Sequence, residues 1–310
     1  MGDKDTITFS KDTIYGIVIA VLACLLVISV FTQGFGLVRQ GTTQPSTNST
    51  VQPPVQPPAN TTGPSAVKVM ELPQSLNLMP VMGPANSPVA LLEFSDFQCS
   101  ACGIAFGSPW TKQYPASETG VIPKLEINYV QTGKADFINI PVAFIGVQYG
   151  DNASIYAAEA ALCAKDQGKY FDMYTAIFTA QDSSEGDGKY SKPNLEIIAQ
   201  NVSGLNQTAF DACLAADTYV NQAEEFTSEW GNTYDANICQ YHPGTATQSC
   251  GPGTPTIWIL ADASKTTQSK VSAAAAAAGF DWGLTSDNST YVIIASRVYV
   301  QIQAVMRALE

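Results

Sequence analysis

This 310-residue sequence predicts an α/β domain carrying a helical insertion, held off a membrane by an apolar helix and an extended tether. Three patterns predict it. An almost wholly apolar run occupies Ile14–Phe31, and a charge-free stretch rich in Pro, Thr, Ser and Gln follows at 41–66. From about Val67 onward, strand-like runs bracket a long block of helical periodicity. Their order is strand–helix–strand, helices, then strand–strand–helix, the pattern of an α/β domain interrupted by helices.

The apolar run comes first in the chain. No charge falls between Thr13 and Val38, and eighteen residues at ~1.5 Å each reach roughly 27 Å, close to a bilayer's hydrocarbon thickness. A buried core helix would show polar positions at helical spacing, and this run shows none. No small-x-small pattern follows it, so the sequence predicts a retained anchor over 13–38 rather than a cleaved leader. VLAC at 21–24 faintly resembles a lipoprotein processing site at Cys24, but the apolar run continues beyond it. Lys4 and Lys11 precede the span and Arg39 follows it, which places the short tail 1–12 inside the cell. Residues 39–66 then form an extended linker that cannot bury a core. Asn-x-Ser/Thr sequons at Asn48, Asn60, Asn152, Asn201, Asn206 and Asn288 fit an outward-facing, glycosylated chain.

The domain proper spans 67–310. Val89–Phe94 reads as a buried strand, Cys99 to about Glu118 as a helix kinked at Pro109, and 125–131 (LEINYVQ) as a second strand. A further short strand is expected near FINIPVAF. Helices follow over about 150–236, with a break at Gly168. TPTIWIL at 254–260 is strand-like again, 261–290 is polar and Ala-rich, and the chain closes as a strand and an amphipathic helix.

Composition removes several function classes. A net charge of −12 leaves nothing to replace phosphate counterions, so nucleic acid is not an expected partner. With His242 as the one histidine, chemistry that needs a histidine pair is excluded.

Seven cysteines remain, two of them in FSDFQCSAC as Cys99 and Cys102. A zinc site needs four ligands, and neither a second such pair nor a histidine cluster exists. A structural disulfide across four residues would remove little chain entropy. A redox pair explains the context best: Cys99 would sit at a helix N-terminus, where unpaired N–H groups stabilise a thiolate, and Cys102 one turn on. No metal and no cofactor are expected.

LEFSDFQCSAC resembles the active-site segment of DsbA-like thiol–disulfide oxidoreductases of the thioredoxin superfamily. ALCAKDQGKYFDMYTAIF and FDACLAAD are similar to that family's inserted helices, and GTPT at 253–256 to its cis-proline loop. The resemblance covers roughly 67–310, with 261–290 looking like an extra insertion. It implies a thioredoxin-like fold acting on protein thiols and disulfides, with Cys99 as nucleophile and Cys102 as resolving cysteine. It also implies Pro255 as the cis-proline, and Thr254, Ser100 and Ala101 against the substrate. Glu93 matches the family's buried acid and would relay the proton of Cys102, its pKa raised by burial. Asp96 is the rival for that role, read here as a solvated or helix-capping acid. Strongly oxidising members carry Pro-His where this chain has Ser100–Ala101, so the direction of electron flow stays open.

Two further disulfides are expected. Cys163–Cys213 would join two inserted helices and contribute ~4 kcal/mol, and Cys239–Cys250 would staple the loop before Pro255 for ~3 kcal/mol. His242 in that loop reads as a surface residue. Partners implied are client proteins and a quinone-linked, DsbB- or VKOR-like membrane protein. Two alternatives stand beside the oxidase reading: a reductase or isomerase, and a non-catalytic thioredoxin-like binding domain on a stalk.

Overall fold

A computed structural model describes residues 67–237, 253–295 and 298–310. The expected membrane helix, the tether with Asn48 and Asn60, and the loop holding Cys239, His242 and Cys250 lie outside the described residues. Among the described residues, no helix is long and apolar enough to cross a membrane.

The described strands are β1 Val69–Met70, β2 Val89–Ser95, β3 Asp136–Pro141, β4 Thr256–Asp262, β5 Asp281–Thr285 and β6 Thr290–Ala295. They form one mixed sheet in the order β1–β5–β6–β4–β2–β3. Strand β2 is central: it runs parallel to β3, with Glu93 opposite Asn139, and antiparallel to β4, with Phe94 opposite Thr256. Both of its faces are covered, which is why VALLEF reads as a continuous apolar run rather than an alternating one.

Helices cover each face. Helix α1, Ser100–Phe106, follows β2 directly, and α2 is Val121–Leu125. Between β3 and β4 come α3 Phe144–Tyr149, α4 Ala153–Lys165, α5 Tyr170–Ala180, α6 Lys192–Ala199, α7 Gln207–Ala215 and α8 Val220–Asn237. Their apolar faces share a core with Leu92, Phe94 and Trp258. The other sheet face, through Leu91, Ile257 and Ile293, packs on α2, on α9 Gln268–Ala278 and on α10 Tyr299–Leu309. Gly168 separates α4 from α5 at φ +68°, a left-handed conformation that glycine adopts without steric cost. Cys163 on α4 and Cys213 on α7 are disulfide-bonded, with Cα atoms 5.9 Å apart.

Three expectations are corrected. The strand expected at 125–131 is helical: α2 runs into a π turn over Glu126–Val130. Strand alternation would turn Leu125, Ile127 and Tyr129 to one face, whereas Ile127 is 57% exposed and Val121, Ile122, Leu125 and Tyr129 are buried at helical spacing. The helix expected from Cys99 to Glu118 ends at Phe106, where Gly107 turns left-handed at φ +84° and a short 3₁₀ turn follows over Pro109–Gln113. The stretch 261–290 is no appended insertion. It completes β4 and supplies β5, and its alanine run forms α9, which buries Val271, Ala274, Ala275 and Ala278 in the second core.

Candidate active site

The chain leaves β2 at Ser95 and enters α1 at Ser100, so Cys99 caps the helix with extended backbone (φ −66°, ψ 119°). Because β4 starts opposite Phe94, the residues just before it return beside the cysteines. The Thr254–Pro255 peptide there is cis. Cys99 Sγ lies 3.5 Å from the Thr254 carbonyl oxygen, across 155 residues of sequence. Both thiols are buried, Cys99 at 5% exposure and Cys102 at 0%.

The two thiols are electrostatically unequal. A hydrogen bond from the Cys102 thiol leads in drawing Cys99 down from about 9 to about 6, against the opposing effect of burial. Thr254 and the backbone N–H groups of Cys102 and Ala101 add to that stabilisation. Ser100 and Ala101 contribute no side-chain charge. Cys102 is pushed well above the ordinary range, first by burial and then by its bond to Cys99. One thiolate and one neutral thiol therefore sit side by side near neutral pH.

Glu93, on the central strand, is 1% exposed. Its Oε2 accepts hydrogen bonds from Asn139 Nδ2 and Tyr174 OH, each at 2.8 Å, while Oε1 is buried without a partner among the described residues. Burial outweighs those bonds and lifts the carboxyl to about 7. Its charge raises Cys102 further. A group with this pKa, coupled to Cys102, can hold or release a proton as that sulfur changes state.

Asp96 departs from its expectation in burial alone: it is fully buried rather than solvated, and it caps a helix as expected, α3. Its carboxylate accepts from Ile145 N, Gln98 N and Ser154 Oγ, each at 2.8 Å. Burial raises it to about 7, and Cys99 adds to the rise.

Several neighbours of the site gave no signal in the sequence. Gln98 Nε2 donates to Ser154 Oγ at 2.9 Å and to Asp151 Oδ1 at 3.2 Å. Asn139, Tyr170 and Tyr174 surround Glu93, with Tyr170 OH donating to Asn139 Oδ1 at 2.6 Å. Gln181 and Glu185, beyond α5, reach the backbone at Cys99 and Ser100. Sequons Asn152, Asn201, Asn206 and Asn288 are exposed. Asn206 also caps α7, accepting from Ala209 N at 3.2 Å.

A family model described as Thioredoxin matches residues 77–238. A probable disulfide bond formation protein D of Bacillus anthracis is 28% identical over 131 residues, covering 42% of this chain and 52% of that protein. The disulfide bond formation protein D of Bacillus subtilis (strain 168) is 23% identical over 154 residues, covering 49% of this chain and 61% of the relative. The chain thus spans about half the length of these curated relatives. In fold it is similar to the crystal structure of oxidised BdbD from Bacillus subtilis. The TM-score is 0.50 at 18% identity, over 78% of this chain and 97% of the other.

Proposed function

The chain belongs to the thioredoxin family, and from that membership we propose that it is a thiol–disulfide oxidoreductase whose redox pair is Cys99 and Cys102. One observation carries the reading: the unequal, buried cysteine pair lies against Thr254 and Pro255, brought there from 155 residues away.

In the oxidising direction the pair begins as a disulfide. A client thiolate attacks Cys99 Sγ, a client–Cys99 bond forms, and the Cys99–Cys102 bond breaks with its electron pair on Cys102. Glu93, poised at about 7, supplies the proton that leaves Cys102 neutral. A second client thiolate then attacks the client sulfur. The client gains a disulfide, Cys99 departs as a thiolate, and the protein holds both electrons. Stabilising that thiolate favours the reduced protein, and so makes its disulfide the stronger oxidant. The backbone beside Pro255 offers the client's extended chain a hydrogen-bonding edge.

The names of the curated relatives support disulfide formation as the task. The apolar run at 13–38 and the tether at 39–66 support work outside the cytoplasm on a membrane anchor, with reoxidation by a quinone-linked membrane partner of DsbB or VKOR type. The test uses the full chain in detergent, incubated oxidised with a reduced two-cysteine peptide. The peptide should gain its disulfide, and Cys99→Ser should abolish this. Equal turnover by the two proteins refutes the proposal.

A further inference from the structure

One buried amide of the helical insertion grips the cysteine loop. Gln181 follows the last turn of α5 and is 4% exposed. Its Nε2 donates to the carbonyls of Phe97 at 2.8 Å and Cys99 at 3.0 Å. Its Oε1 accepts from Trp110 Nε1 at 3.2 Å and Ser108 Oγ at 3.3 Å. Two donors and two acceptor positions are all that such an amide has, and all are used.

Gly103 makes the room. A Cβ at that position would fall 1.6 Å from Gln181 Oε1 and 2.7 Å from its Cδ. The backbone there is ordinary helix and does not itself need glycine. An alanine would favour the helix, so the space for Gln181 is what glycine provides. The loop beyond Gln181 adds two further holds: Ser100 N donates to Glu185 Oε1 at 2.8 Å, and Gly186 N to Gln98 Oε1 at 3.0 Å. Every residue from Phe97 to Ser100 is thereby tied to the insertion.

We propose that Gln181, seated against Gly103, is a positioning residue that sets the reactivity of Cys99 from the helical insertion. The inference rests on the exchange chemistry proposed above. The Cys99 thiolate is stabilised by the groups its sulfur faces: the Cys102 thiol, Thr254 and the N–H groups of Cys102 and Ala101. Fixing the carbonyls on either side of Gln98 fixes the backbone rotation that aims the sulfur. The titratable groups acting on this pair are Asp96 just after β2, which repels the thiolate, and Glu93 on β2 and Tyr174 on α5, which act on Cys102. Glu185 stands over the first N–H of α1. Gln181 carries no charge, so it acts through geometry.

The full chain provides the test, as wild type, Gln181→Met, Gly103→Ala and the Gly103→Ala/Gln181→Ala pair beside Gln181→Ala. Thiolate absorbance against pH and the equilibrium with glutathione are read. Gln181→Met is of similar volume, stays uncharged and loses both donors. It should lower the thiolate-to-thiol ratio at a given pH, and shift the glutathione equilibrium toward the protein disulfide, by about tenfold each. Gly103→Ala should do the same by expelling Gln181, and the pair should be no worse than Gln181→Ala alone. Should Gln181→Met not fold, Gln181→Leu, also uncharged and without donors, takes its place. Folded variants with wild-type titration and equilibrium, or losses that simply add in the pair, overturn the inference. A wild type that exchanges with glutathione no faster than Cys99→Ser removes the exchange reading instead, and this inference with it.

Discussion

Replacing Glu93 with Gln should change how the protein's stability depends on pH, by an amount that follows from its burial. Folding lifts this carboxyl from 4.5 to about 7, and a rise of about 2.5 at 1.36 kcal/mol per pKa unit corresponds to ~3 kcal/mol. Its sign is fixed by the direction of the rise. Below pH 4.5 the group is protonated in both folded and unfolded chains, and the wild type has its full stability. Between 4.5 and about 7 the unfolded chain ionises while the folded one does not, so stability falls, and above 7 it levels off. Glutamine keeps an oxygen for Asn139 and Tyr174 and removes the titration. Its amide group, where Oε1 now lacks a partner, adds an offset that does not vary with pH. The assay is denaturant unfolding of both proteins with the Cys99–Cys102 disulfide formed, so that neither cysteine titrates. Asp96 titrates in both and cancels in the difference. Stability of Glu93→Gln relative to wild type should rise by ~3 kcal/mol from pH 4 to pH 8. A difference that stays flat across that range would refute the buried-acid reasoning.

Three other outcomes are expected. Stability of the reduced protein should carry an opposite dependence from Cys99, whose folded pKa of about 6 lies below its unfolded value near 9. That contribution is present above pH 9 and lost as pH falls through 6; calorimetry of reduced against oxidised protein reads it. Removing the Cys163–Cys213 disulfide as a double alanine variant opens a crosslink over a sequence separation of 50. It should cost ~4 kcal/mol in unfolding free energy while leaving the Cys99 thiolate titration in place. Asp96→Ala strips partners from Ile145 N, Gln98 N and Ser154 Oγ, at about 1–3 kcal/mol for each buried group left unpaired. Hydrogen exchange should then rise first at the start of α3.

Where the chain carries local signals, the fold could be read directly. The apolar run of β2, the helical spacing of α4 and α5 and the glycine between them declare themselves within a dozen residues. LEINYVQ did not, because seven residues satisfy either period, and only the exposure of Ile127 and burial of Val121 and Ile122 decide for helix. The sulfur pair was legible from CxxC and GTPT. The polar groups that govern it were not: Tyr174 stands 81 residues from Glu93, and Gln181 stands 82 from Cys99. Each lies at an ordinary helical or loop position, and its role arises only when the insertion folds back over the sheet. Asp96 makes the same point for burial. An acid next to a strand end looks solvated until α3 and α4 close over it and use its oxygens.

The central claim is that Cys99 attacks and is attacked while Cys102 resolves. Incubating the reduced full-length Cys102→Ser and Cys99→Ser variants with a disulfide-bonded peptide, then mapping adducts by mass spectrometry, tests this most directly. A stable mixed disulfide at Cys99 in Cys102→Ser, with none in Cys99→Ser, is the predicted result. An adduct at Cys102, or no adduct in either variant, would contradict it.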